Sequence, residues 1–122
     1  MAFGSTLTLV FNGVNTVLNR INQGSYGSEY LLTGTLGEWR VKIRHSKEAP
    51  SALSVRGFDR HNLEVTYTIF ATATVPQRVK QAYVVFRNDY DDDKAVSGYV
   101  DAALIDFMDV AGTITDMVNW LN

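Results

Sequence analysis

The chain has 122 residues, a formal net charge of −2, 46% hydrophobic and 20% charged residues, and no cysteine. That length suits one domain with its own core, and the composition excludes intrinsic disorder, disulfides and thiolate metal sites. A pI near 5.6 excludes an all-over electrostatic nucleic-acid binder, for which a domain pI above ~9 is the usual sign, so any anion binding must come from a local patch.

Taken in chain order, the sequence reads as strands first and helices last. Leu7, Leu9 and Phe11 alternate with Thr6, Thr8 and Val10. Asn12-Gly13 follows, a two-residue hairpin turn whose residues both tolerate positive φ. Val14 to Ile21 returns as the second strand. Asn22 to Ser28 is expected as a polar loop, Glu29 to Thr33 as a short strand, and Gly34 to Gly37 as a turn. In Glu38 to Ser46, Trp39, Val41 and Ile43 alternate with Arg40, Lys42 and Arg44. Lys47 to Asp59, with Pro50 and Gly57, reads as a loop. Two long strands follow, Arg60 to Thr72 and Val79 to Arg87, joined by a turn over Ala73 to Gln77.

After Tyr90 the period changes. Ala95, Val96, Tyr99, Val100, Ala103, Leu104, Phe107 and Met108 recur at helical spacing, predicting an amphipathic helix of about four turns. Asp91, Asp92 and Asp93 sit at its start, where the helix dipole favours negative charge. Gly112 ends the pattern. Thr113 and Asp116 resemble a capping box at the head of a short, greasy helix running to about Leu121. The fold expected is α+β over 1–122: an N-terminal hairpin at about 5–21, an antiparallel sheet at about 29–88 and two C-terminal helices at about 91–121. Each long strand has one polar and one apolar face, so the sheet is wet on one side, and the helices should cover the other. The C-terminal helix is greasier than a chain end needs, which points to a second copy and a homodimer.

Strand alternation gathers Arg40, Lys42, Arg44, Asn62, Glu64, Thr66, Gln81, Tyr83, Val85 and Arg87 on the polar face. Cations meet phosphates, amides and hydroxyls read base edges, and an exposed tyrosine stacks on an unpaired base. The RNA-binding residues expected are Arg40, Lys42, Arg44, Asn62, Thr66, Tyr83 and Arg87. Glu64 should pair with Lys42 or Arg44 and lower the charge of the patch.

Other constellations lead nowhere. His45 and His61 fall with the apolar residues by strand parity and are expected at the core edge, with no metal role. Asp89, Asp91 and Asp93 imitate a calcium loop, but Lys94 stands where the glycine is needed and Val100 where the bidentate glutamate is. Trp39 and Trp120 are expected in the core. No nucleophile elbow or phosphate loop is present, so neither an enzyme nor a cofactor is expected. No apolar run nears the roughly 20 residues that span a bilayer, and the N-terminus lacks a signal-peptide pattern, so no membrane partner is expected.

The stretch R-V-K-Q-A-Y-V-V-F-R-N-D-Y (Arg78 to Tyr90) followed by D-D-D-K, with R-H-N-L-E-V-T-Y (Arg60 to Tyr67) and W-R-V-K-I-R before it, resembles the coat proteins of single-stranded RNA bacteriophages, of the coliphage Qβ type. The resemblance spans essentially the whole chain. It implies an intertwined homodimer with a continuous sheet, each subunit's helices packed over its partner, and an icosahedral shell assembled in the bacterial host cytoplasm. It also implies genomic RNA against the wet face and an RNA hairpin bound there to repress translation. By position, Tyr83 would stack on a loop base, Asn62 and Thr66 would touch RNA, and Arg40, Lys42 and Arg44 would lie on the contacting strand. Glu64 and Val85 depart from the family pattern, so a different operator hairpin is expected. The alternative from the residues alone is a non-viral dimeric α+β module binding single-stranded nucleic acid.

Overall fold

A computed structural model describes residues 3–121. Six strands, β1 (Thr6–Phe11), β2 (Val14–Gly24), β3 (Gly27–Thr33), β4 (Gly37–Lys47), β5 (Phe58–Ile69) and β6 (Arg78–Asp89), precede α1 (Lys94–Asp109) and α2 (Thr113–Val118). The strands form one antiparallel meander in sequence order. Short connections make neighbours in sequence neighbours in space. The β1–β2 turn is as expected: Asn12 and Gly13 have φ of 49° and 78°, the left-handed conformation that a two-residue turn between right-twisted strands demands.

The expected loop from Asn22 to Ser28 is mostly sheet. Asn22, Gln23 and Gly24 pair with Glu29, Ser28 and Gly27, leaving Ser25 and Tyr26 as the turn. Polar composition suggested a loop, but backbone pairing with β3 decided the matter. The register slips between Arg20 and Asn22, making Ile21 the extra residue of a β-bulge. A bulge bends its strand and increases the local twist, and the sheet here curls. Phe11, on the outermost strand, lies 4.9 Å from Trp39 and 5.6 Å from Tyr67 by ring centroid, although β2 and β3 separate β1 from β4. The hairpin therefore folds back over the apolar face of the sheet. Trp39 and Tyr67 stack at 4.2 Å beneath it.

The core is the inside of this curl. Leu18, Tyr30, Val41 and Ile43 are buried, with Leu7, Leu9, Leu32, Trp39 and Val65 packed around them. Fully burying an aliphatic side chain contributes about 1.5–3 kcal/mol, and Leu18 and Val41 have no exposed surface. The Tyr30 hydroxyl keeps a partner by donating to the Gly4 carbonyl at 2.7 Å.

The helices differ from expectation in what they cover. Neither buries a single residue, so within one chain the hairpin, and not the helices, lies over the apolar face. Trp120 is 95% exposed and belongs to no core of its own chain. The first helix begins at Lys94, where the Asp93 side chain caps it by accepting from the Ala95 N–H. The capping box expected at Thr113 does not form: Gly112 is the N-cap, with φ of 92° and no side-chain cap. The amphipathic stripe is real, but none of its residues is buried within this chain. The described helices are also too short or too polar to cross a membrane.

Candidate nucleic-acid interface

The polar face is built rung by rung. Arg40, Thr66 and Gln81 lie side by side on β4, β5 and β6, as do Lys42, Glu64 and Tyr83, then Arg44, Asn62 and Val85, then Ser46, Arg60 and Arg87. The alternation read from the sequence thus brings all seven expected residues onto one face. Lys42 and Tyr83 flank Glu64, and strands about 4.8 Å apart put their backbones about 10 Å from each other.

The charges on this face are mostly committed. Arg40 pairs with Glu29 and, at 3.0 Å, with Glu38. Hydrogen bonds to Glu29 first and Glu38 second raise its pKa above the ordinary guanidinium value, so it stays charged. Arg44 pairs with Glu64 at 2.9 Å, and Arg87 with Glu48 at 2.6 Å. Arg87 also lies 4.3 Å over the Phe58 ring. Arg60 comes within 4.0 Å of Glu48. Among the described residues, Lys42 alone of the five cations on this face has no carboxylate partner. Such exposed pairs contribute only about 0.2–1 kcal/mol each, but they cancel most of the positive potential that three cations in a row suggest.

Glu64 is the hub of the face. It accepts from Arg44, from the Gln81 amide at 3.1 Å and from the Thr66 hydroxyl at 3.5 Å. Gln81 also reaches the Thr66 oxygen at 3.3 Å. Tyr83 is 69% exposed and has no hydrogen bond among the described residues. The Asn62 side-chain oxygen is buried with no hydrogen-bond partner among the described residues. Beside it, Tyr26, Ser28, Lys42, Arg44, Arg60 and Asn62 border a shallow concavity of about 910 Å³. One unpaired lysine and a free aromatic ring, set among amides and hydroxyls, can together meet phosphates and unpaired bases.

Glu29, Glu38 and Glu48 were not singled out in the sequence. Glu38 was within reach of sequence reasoning, because it stands two residues before Arg40 on the same face of β4. Glu29 depends on the β3–β4 register, and Glu48 on the path of residues 48–57. That segment is held by the Ser54 hydroxyl on Asp89 and by Arg56, 2.7 Å from Asp91. The calcium-loop mimic is thereby put to structural use: its carboxylates hold the loop and cap α1. Among the described residues, no group of three or more His, Cys, Asp or Glu could hold a metal ion.

The sequence profile of the family described as "Phage phiCb5, coat protein" matches residues 4–89, all six strands. A search of curated protein sequences finds no match. Among solved structures, the fold resembles the "Virus-like particle of bacteriophage ESE058", with a TM-score of 0.70 and 12% sequence identity over 99% of this chain and 98% of that one. The likeness includes the helices, which lie beyond the family match.

Proposed function

The chain belongs to the phage phiCb5 coat-protein family, and from that membership we propose that it is a self-assembling capsid subunit whose building block is a dimer, with the polar sheet face turned toward single-stranded RNA. Family membership displaces the reading as a non-viral nucleic-acid module. Surface area supports assembly. A compact monomer of 13.6 kDa exposes about 6,600 Å², whereas this chain exposes 9292 Å². The surplus, roughly 2,700 Å² per chain or about 5,400 Å² over two copies, is at the top of the range of obligate interfaces.

That surplus is apolar where it matters. Tyr99, Val100, Phe107 and Val118 on the helices, and Trp120 and Leu121 just after them, are each more than 60% exposed. β6 is a long edge strand with nothing beyond it in the sheet, and an open edge invites pairing with another chain. A second copy that continues the sheet at β6 and lays its helices over this chain's apolar face satisfies both features.

RNA binding on the opposite face is supported by Lys42 and Tyr83, the uncommitted cation and the uncommitted aromatic of one rung. The face is otherwise close to neutral, so selective contacts to an RNA hairpin carry more of the affinity than bulk charge. A hairpin held there near a start codon would also repress translation.

Expression of the chain alone, followed by electron microscopy and nuclease digestion, tests the reading. The expected result is particles containing nuclease-protected RNA. A species of tens of kilodaltons at all salt and protein concentrations overturns it.

A further inference from the structure

His45 and His61 stand sixteen residues apart in sequence and opposite one another on β4 and β5. The His45 N–H bonds the Tyr26 carbonyl on the β3 side, at 2.7 Å. Toward β5 the pair is therefore of the non-hydrogen-bonded type, in which Cα atoms approach to about 4.5 Å and side chains meet. The two Nδ1 atoms lie 2.8 Å apart.

The surroundings fix the chemistry of one ring. His61 Nε2 is 3.1 Å from Asn88 Oδ1. The orientation of that amide is set because Asn88 Nδ2 donates to the Asp89 carbonyl at 3.1 Å. A carboxamide oxygen only accepts, so Nε2 of His61 carries the proton, and the neutral ring has its lone pair on Nδ1, toward His45. An imidazole oriented by an oxygen acceptor on its far nitrogen is the usual arrangement of a metal-ligating histidine. Lys47, the next cation on that face of β4, is 3.1 Å from Asp59, which partly offsets its repulsion of a metal ion.

We propose that the two Nδ1 atoms form a chelating site for a divalent transition metal, Cu²⁺ or Ni²⁺, with water completing the shell. Two metal–nitrogen bonds of about 2.0 Å span about 2.8 Å at a right angle and about 3.3 Å at the tetrahedral angle. The 2.8 Å separation fits the right angle of a tetragonal Cu²⁺ or Ni²⁺ site, whereas Zn²⁺ would need the strands or rings to open. The site lies on the sheet face opposite Lys42 and Tyr83 and does not depend on RNA binding.

The test is titration of EDTA-treated full-length protein with CuCl₂, read by electron paramagnetic resonance, which does not depend on particle size. One Cu²⁺ per chain with two nitrogen ligands is expected in the unsubstituted protein. His61→Gln should lose the two-nitrogen signature. Asn88→Ala should keep it with affinity about tenfold weaker. The proposal is overturned if one equivalent of copper gives no two-nitrogen spectrum. It is equally overturned if folded His45→Gln and His61→Gln both retain the two-nitrogen spectrum.

Discussion

Arg44 and Glu64 meet at 2.9 Å across β4 and β5, one rung away from the pairing that puts Lys42 directly opposite Glu64. The longer guanidinium takes the carboxylate diagonally and leaves the lysine without a partner. This one choice decides which cation of the row is available to a phosphate. It also places the free charge on the same rung as Tyr83, with Glu64 between them.

Glu64→Gln should therefore release Arg44 without disturbing the fold. Stability should fall by about 0.5–1.5 kcal/mol, because the amide keeps the shape of the carboxylate and loses the charge-assisted bond to Arg44. Binding to single-stranded RNA should strengthen, and the slope of log affinity against log salt should steepen by about 0.7 for the one cation freed. Filter binding at a series of NaCl concentrations reads both. An unchanged slope would show that Arg44 already contacts phosphate in spite of its carboxylate partner.

Lys42→Ala and Tyr83→Ala should fail in different ways. Loss of Lys42 should weaken all RNA alike and flatten the salt slope by about 0.7. Loss of Tyr83 should cost about 1–3 kcal/mol on a preferred hairpin, the contribution of one stacked base, with the slope unchanged. Both variants should keep the oligomeric state of the unsubstituted protein on size-exclusion chromatography. If neither loses affinity, the RNA-facing assignment of this face is wrong.

Leu18→Ala probes the inside of the curl. Leu18 has no exposed surface and packs among Tyr30, Val41 and Ile43, so truncation should cost about 2–5 kcal/mol. Denaturant unfolding measures it. A loss below about 1 kcal/mol would mean that the hairpin is not firmly seated on the sheet.

Phe107→Asp tests the uncovered helix stripe. Phe107 is 61% exposed, and an isolated chain should tolerate the change. In an apolar interface an unpaired carboxylate costs several kcal/mol, so the variant should elute as small species and form no particles while keeping its β-sheet circular dichroism. Particles at the unsubstituted yield would place this part of α1 outside every subunit contact.

The residues that repeat with a short period were legible in the sequence. Trp39, Val41 and Ile43 on one face, and Arg40, Lys42 and Arg44 on the other, follow from strand alternation alone. Asn12-Gly13 announces its turn because its residues bear positive φ at little cost. What failed was whatever depended on distant partners. The polar run Asn22 to Gly24 joined the sheet because β3 offered hydrogen bonds, which composition does not record. The capping box at Thr113 gave way to Gly112, the residue that lies at the bend between the two helices.

By itself the sequence determined the order of strands and helices, the two-sidedness of the sheet and the set of residues on its polar face, because each is a local consequence of side-chain period and turn chemistry. Only the tertiary structure decided which cations are spent on carboxylates, because Glu29, Glu48 and Glu64 reach theirs through cross-strand register and loop path. It decided too that His45 and His61 touch, since a non-hydrogen-bonded rung brings side chains together at any sequence separation. Likewise it decided that the hairpin covers the sheet while the helices stay bare, because a bulge at Ile21 curls the sheet onto itself and leaves the helical stripe facing outward.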